Sequence, residues 1–204
     1  MMSGKPFILG LTGSIGMGKS TTAKLFSAEN VPVWDADATV HNLYQGDTPA
    51  VHGIAKLVPE SVKNQQVDRG TLKLYIAERP VLLQEIEALV HPLVSQSRED
   101  FLTAATESGA PVVVIDHPLL FETKGDHLCD AVLVVTASPQ EQKRRVMERG
   151  EMSEETFEFI LAKQMPDTQK RQRADYVLET TTPAAAQEFV LHLIAEISGK
   201  TPDA

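Results

Sequence analysis

Hydrophobic positions along the chain gather in short runs with few polar interruptions. They are "FILGLT" (Phe7–Thr12), "VPVWD" (Val31–Asp35), "PVVVID" (Pro111–Asp116), "DAVLVVT" (Asp130–Thr136) and "ADYVLE" (Ala174–Glu179). Several are nearly continuous in Val, Ile and Leu, the pattern of strands buried on both faces of a parallel sheet. Segments of helical period separate them, so the expected class is α/β with right-handed crossovers. Ser138-Pro139-Gln140-Glu141 predicts a helix start, with a capping serine, a proline at the first helical position and a glutamate closing a capping box. That helix is expected to run to Arg149 and stop at Gly150. A second begins near Ser153 and ends before Pro166. A last one follows Thr182-Pro183, with Phe189, Val190, Leu193, Ile194 and Ile197 as its apolar stripe.

Between the second and third runs, about 75 residues (Ala36 to Ala110) carry no convincing strand, a crossover too long for one helix. "ATVHNLYQ", "TLKLYIAE" and "RPVLLQEIEALVHPLVSQSREDFLTAATESG" read as helices, with His91-Pro92 at the end of a long apolar one. The expectation is a helical insertion over the carboxyl ends of the strands, where open α/β sheets bind ligands.

Composition narrows the class. The 204-residue chain is 42% hydrophobic and 23% charged, values of a soluble globular domain. It carries 19 Lys and Arg against 28 Asp and Glu, a net charge of −9. Non-specific nucleic-acid binding needs a basic surface, so no nucleic-acid partner is expected. A polyanionic ligand has to be met by a local cluster of cations and amides. The one cysteine, Cys129, excludes an internal disulfide framework and fits a reducing, cytoplasmic setting. The stretch "MMSGKPFILGLTG" is too short and too glycine-broken for a signal peptide, and no apolar run approaches a membrane span. No membrane partner is expected, and the chain is expected to be a monomer or weak homo-oligomer. The tail "GKTPDA" reads as frayed.

Glycines at 10, 13, 16 and 18 weaken helix and strand alike unless a bare backbone has a task. The first apolar run leads directly into Gly13-Ser14-Ile15-Gly16-Met17-Gly18-Lys19-Ser20, a full G-x-x-x-x-G-K-[ST], and the helical "STTAKLFSAE" follows. That is the strand–loop–helix context of a phosphate-binding loop. Its glycines let successive N–H groups converge on one anion, and the helix N-terminus adds partial positive charge. In this reading Gly13, Ser14, Gly16, Met17 and Gly18 cradle the phosphates of a nucleoside triphosphate. Lys19 spans the β- and γ-phosphates, Ser20 ligates Mg²⁺ and Thr21 reaches the α-phosphate. Asp116 ends the buried run beside that strand, where an acid either holds Mg²⁺ through water or caps the turn before Pro118.

A phosphate loop alone does not name a reaction. No guanine-reading N-K-x-D occurs, and the third run ends in a lone acid rather than a pair, which favours a small-molecule kinase over a GTPase or a motor. Two rivals remain on the residues alone: a kinase for another small alcohol or nucleotide, and a nucleotide-dependent switch without transfer activity.

The stretches "LTGSIGMGKSTTA", "VWDADATVH", "LVHPLV", "VVVIDHPLLFE", "DAVLVVTASPQEQKRRVMER" and "AKQMPDTQKRQRADYVLE" resemble, in order and spacing, the dephospho-CoA kinase family. The likeness extends over roughly residues 7 to 195. It implies a P-loop kinase fold of the nucleoside monophosphate kinase type, with a five-stranded parallel sheet in the order 2-3-1-4-5. Within one domain, residues 1–37 and 107–198 would form the nucleotide-binding core, 38–106 a helical acceptor-binding insertion and 144–172 a lid region. The implied reaction is phosphorylation of the ribose 3′-hydroxyl of dephospho-coenzyme A by ATP·Mg²⁺, the last step of coenzyme A synthesis.

The resemblance assigns Asp35, the first carboxylate of "WDAD", as the base that orients the hydroxyl and takes its proton. Asp37 either contacts substrate or caps the next helix. Arg69 in "VDRG", His91 in "LVHPLV", and Pro118 and Leu119 in "PLLFE" resemble family elements that meet the acceptor. Phosphoryl transfer also calls for a cation near the moving phosphate. Arg149 is expected to be that lid arginine, catalytic together with Asp35 and Lys19, with Arg145 second and Lys170 or Arg173 as outer contacts. "VLETTTP" stands where the family carries an asparagine bordering the adenine, so Thr180 or Thr181 takes that place and base contacts from this loop stay open. "RGEMS" likewise departs slightly from the family's R-x-G arrangement.

Overall fold

The computed structural model describes residues 4–199. The chain begins β1 (Phe7–Thr12), α1 (Lys19–Ala28), β2 (Val33–Asp35), α2 (Ala36–Leu43), α3 (Pro49–Leu57), β3 (Val62–Lys63) and β4 (Gln66–Val67). It continues through α4 (Arg69–Glu78), α5 (Val81–Glu107), β5 (Val112–Asp116), β6 (Ala131–Thr136) and α6 (Pro139–Arg149). α7 (Glu154–Lys163), α8 (Asp167–Arg173), β7 (Tyr176–Glu179) and α9 (Pro183–Ser198) complete it. Two compact units result: one takes the residues up to Trp34 together with those from Ala104 onward, the other is Asp35–Thr103.

The first unit is built on a five-stranded sheet of order β2-β5-β1-β6-β7. Counting only these strands in chain order gives 2-3-1-4-5, as expected. β1 pairs in parallel with β5 and β6, and β6 in parallel with β7. Every position of β5 and of β6 is buried, which explains their unbroken apolar runs. β6 and β7 start later than their apolar runs suggest, because the leading aspartates Asp130 and Asp175 act as side-chain acceptors. Ile8 N–H donates to Asp130 Oδ2 at 2.7 Å and Asp130 N–H donates to Ile8 O at 2.8 Å. Asp175 makes the same exchange with Val132. Each carboxylate takes the place of a strand carbonyl and fixes register at the strand's first residue.

Sequence signals set the helix ends. Ser138 Oγ accepts from Glu141 N–H, and α6 stops at Gly150 with φ 66°. Glu141 does not close a capping box: its carboxylate takes bonds from Arg144 and Arg145, whose guanidinium groups hold it down at about 2. Ser153 caps α7 and Thr182 caps α9. Val190, Leu193 and Ile197 of α9 are buried against the sheet cluster, with Phe189 and Ile194 partly so.

The second unit has its own core, including Val51, Ile54, Leu72, Leu82, Ile86 and Val90. Two expectations are corrected here. A small antiparallel hairpin, β3–β4, occurs where no strand was expected. Two-residue strands carry no readable alternation, and the turn is made by Asn64 and Gln65 at φ 51° and 58°. His91-Pro92 does not end a helix, because α5 continues through Pro92 for 27 residues in all. The ring removes one N–H donor, and apolar packing before it (Leu82, Ile86, Val90) and after it (Val94) outweighs a cost of about 3 kcal/mol. Among the described residues no helix is long and apolar enough to cross a membrane. The expected frayed tail is 199–204; Gly199 caps α9, and 200–204 lie outside the described residues.

Lys170 of α8 is fully buried, its ammonium 3.0 Å from Pro118 O and 3.0 Å from Glu122 Oε1. Burial pushes Glu122 up, but the Met165 N–H and Lys170 outweigh it, so its carboxyl lies below the usual range. A depressed carboxyl stabilises the fold above its unfolded value of 4.5 and stops doing so as pH falls through the lower folded value. Lys170→Met is therefore expected to lower stability by about 2–3 kcal/mol at pH 7. That deficit should shrink progressively below pH 4.5, as urea titrations across pH will measure. A deficit independent of pH would show that packing, not charge, anchors α8.

Candidate active site

β1 delivers the loop at 13–20 from the centre of the sheet. At Gly13 a Cβ would lie 2.5 Å from Val135 Cγ2 and 2.8 Å from Val135 O, so only glycine lets the loop leave β1 against β6. Gly16 and Gly18 adopt φ 78° and 95°, conformations that L side chains rarely take. The loop's polar groups are sorted. The carbonyls of Ser14, Ile15, Met17 and Gly18 accept from Met17 N–H, Gln142, Thr180 and Thr22 respectively. The N–H groups of Gly16, Gly18, Lys19, Ser20 and Thr21 find no acceptor among the described residues. Ser14 Oγ is likewise buried without a partner among them. A row of donors lacking acceptors at a helix N-terminus is an anion site.

Lys19 and Asp116 form an ion pair at 2.6 Å, with only 13% and 2% of their side chains exposed. Asp116 ends β5 beside β1, so the lysine is held where the loop turns into α1. Ser20 and Thr21 follow, exposed, in the first turn. Among the described residues no group of three or more His, Cys, Asp or Glu could hold a metal. Ser20 and Asp116, the residues expected to hold Mg²⁺, stand at the start of α1 and the end of β5, with Asp116 Oδ1 bonded to Lys19.

Beside the loop lies a cleft of about 320 Å³ whose walls include Gly18, Thr21, Arg145, Arg149, Thr181 and Pro183. Arg149 makes no hydrogen bond or ion pair among the described residues. Arg145 is committed: it bonds Glu141 at 2.7 Å, Thr180 Oγ1 at 2.8 Å and the Thr180 carbonyl at 2.5 Å. Thr180 is 9% exposed, and its hydroxyl lies 2.9 Å from Met17 O and 3.1 Å from Thr136 O. It braces the loop from below and leaves Thr181 on the cleft wall. This bracing role was missed; nothing in "ETTTP" sets Thr180 apart from the two threonines that follow it.

The other expected outer contacts are corrected. Lys170 is buried on Glu122, as described above. Arg173 bonds Asp126 at 2.7 Å and lies 4.4 Å from the centre of the Phe121 ring. Both are bonded to the segment after β5. In that segment Pro118 accepts from Thr12 Oγ1 through its carbonyl, and Leu119 is exposed while Leu120 and Phe121 are core.

Asp35, Asp37, Arg69 and His91 belong to the Asp35–Thr103 unit. Asp35, not Asp37, caps α2: its Oδ1 accepts from Ala38 N–H at 2.9 Å. Its Oδ2 has no partner among the described residues. Asp37 is exposed in the first turn of α2. Arg69, at the start of α4, lies 5.3 Å from the centre of the Tyr44 ring, the residue that closes α2. His91 is exposed on α5.

A 2-3-1-4-5 parallel sheet carrying this loop, a buried lysine–aspartate pair and an arginine-lined cleft defines a P-loop kinase. The family model described as dephospho-CoA kinase matches residues 7–185, and the chain belongs to that family. A dephospho-CoA kinase of Jannaschia sp. is 53% identical over 195 residues, covering 96% of this chain and 99% of its own. One of Cereibacter sphaeroides is 52% identical over 200 residues, covering 98% and 100%. Among solved structures, TT1252 from Thermus thermophilus is 34% identical with TM-score 0.79, covering 94% and 97%. Dephospho-CoA kinase from Campylobacter jejuni, at 19% identity and TM-score 0.67 over 96% and 99%, shares the fold.

If Lys19 supplies the charge that holds a polyphosphate here, Lys19→Met weakens ATP binding by about 10- to 100-fold, the loss of one charge-assisted hydrogen bond. Isothermal titration measures it, and unchanged affinity would remove Lys19 from the site.

Proposed function

We propose that this chain transfers the terminal phosphoryl group of ATP to the ribose 3′-hydroxyl of dephospho-coenzyme A, giving coenzyme A and ADP. The observation that carries the reading is the row of amides without acceptors at the end of β1, with Lys19 held beside it by Asp116. These groups, with Gly13, Ser14 and Met17 shaping the loop, would bind the triphosphate. Mg²⁺, when bound, supplies charge neutralisation across the phosphates, with Ser20 and Asp116 as its residues on this chain.

Asp35 is the proposed base. Its capped Oδ1 fixes the carboxylate while Oδ2 is left to orient the hydroxyl and accept its proton. Asp37, Arg69, His91, Pro118 and Leu119 are the proposed acceptor contacts, within an acceptor-binding insertion at 38–106. Arg149 is the proposed cation at the moving phosphate, and its lack of an acidic partner among the described residues supports that choice. The 144–172 segment would act as the lid that excludes water, with α8 as its fixed end. A cytoplasmic enzyme without nucleic-acid or membrane partners, monomeric or weakly associated, completes the proposal.

Mass spectrometry of dephospho-CoA incubated with the protein and ATP·Mg²⁺ should show a gain of one phosphate at the 3′ position. Preference for a nucleoside monophosphate or a sugar in a coupled ADP-release assay would refute the acceptor. ATP binding with no phosphorylated product from any acceptor would indicate a switch instead. Asn caps helices as well as Asp, so Asp35→Asn should leave the melting temperature and ATP affinity nearly unchanged while kcat falls at least about 100-fold. Near-wild-type turnover in that variant would sink the base assignment.

A further inference from the structure

Both polar groups of one loop residue are gripped by side chains from distant segments. Ile15 N–H donates to Gln164 Oε1 at 3.1 Å, and Gln142 Nε2 donates to Ile15 O at 2.7 Å. Gln142 is 4% exposed on α6. Gln164 ends α7, and the next residue, Met165, donates its N–H to Glu122 Oε1 at 2.8 Å. Glu122 in turn holds the buried Lys170. The residue carrying the acceptor for Ile15 is thus itself anchored.

No peptide bond among the described residues is cis, and in a trans peptide the carbonyl and the following N–H point in opposite directions. Fixing Ile15 O on Gln142 therefore turns the Gly16 N–H away from α6, and Gly16 N–H is one of the donors without an acceptor. Fixing Ile15 N–H on Gln164 turns the Ser14 carbonyl the other way, where it accepts from Met17 N–H at 3.1 Å. Gly16 itself packs so close to α6 that a Cβ would lie 2.9 Å from Gln142 O.

We infer that Gln142 and Gln164 are positioning residues: they lock the two peptide planes around Ile15, and so aim the Gly16 N–H at the phosphates the loop receives. The inference rests on the reading of the loop as an ATP site, but not on the identity of the acceptor. The two glutamines act with opposite polarity, Gln142 as donor and Gln164 as acceptor, and the backbone groups they face fix both assignments.

That polarity supplies the test. Q142E and Q164E each bring one negative charge to Ile15, yet Q164E keeps an acceptor facing Ile15 N–H, while Q142E removes the donor to Ile15 O and sets a carboxylate against that carbonyl. ADP affinity by isothermal titration, with no acceptor present, is expected to fall at least about tenfold further in Q142E than in Q164E. Q142M, which fills the same space without a donor, should weaken ADP by about tenfold and lower kcat, with KM for dephospho-CoA unmoved. Melting temperatures confirm folding, and Q142M against wild type carries the test if Q142E fails to fold. Equal ADP affinity in the two glutamate variants, or wild-type affinity in Q142M, would overturn the inference. Absence of phosphorylated product with the wild-type protein would instead refute the proposed function and leave this pattern standing.

Discussion

Amide hydrogens aimed at a common point repel one another, and each costs free energy when nothing accepts from it. A loop of that kind keeps its shape only if its outer side is tied down. In this chain the carbonyls of Ser14, Ile15, Met17 and Gly18 all receive donors, from the loop itself, from α1, from α6 and from Thr180. Met17 adds a sulfur acceptor for Ala137 N–H at 3.0 Å. The sheet exists, in functional terms, to present this loop. β1 lies at its centre, flanked by two fully buried strands, so the loop leaves from the most deeply buried part of the sheet.

The same constraint explains how an acidic chain can take a polyanion. The net charge of −9 is not offset by a general basic surface. The basic runs late in the chain are largely spoken for: Arg144 by Glu141 and Glu148, Arg145 by Glu141, Lys170 by Glu122, Arg173 by Asp126. In the proposed reading, attraction for phosphate falls to the loop amides, to Lys19 and to Arg149. Short-range, oriented donors discriminate between a triphosphate and other anions better than diffuse charge, which salt screens.

Much of this was legible in the sequence, because the strongest local signals and the functional ones coincide. The glycine loop, the valine-rich strands, the Ser138, Ser153 and Thr182 caps and the α9 stripe are each written within a few residues of where they act. What failed to show were bonds between residues far apart in the chain. Thr180 on Met17 spans a sequence separation of 163, and Gln164 on Ile15 one of 149. A threonine or glutamine that braces a distant backbone looks like any surface polar residue. Lys170 and Arg173, expected as outer contacts, belong with these: their partners Glu122 and Asp126 stand 48 and 47 residues away in the chain. The β3–β4 hairpin and the passage of α5 through Pro92 were lost to brevity in one case and to an over-strict breaker rule in the other.

α6 ties these strands of argument together. Gln142, Arg145 and Arg149 are spaced by three and four residues, which sets them along one stripe of a helix. The first holds the loop's backbone, the second braces Thr180, and the third lines the cleft without an acidic partner among the described residues. Read as sequence, "QKRRVMER" is a charge run; folded, it is a rigid rod whose consecutive turns touch loop, brace and cleft. Its ends are fixed by Ser138 and Gly150, so a displacement of the loop carries to the proposed transfer arginine through a single element, not through a flexible segment. One helix thus links the backbone of the phosphate loop to the position of the proposed transfer arginine.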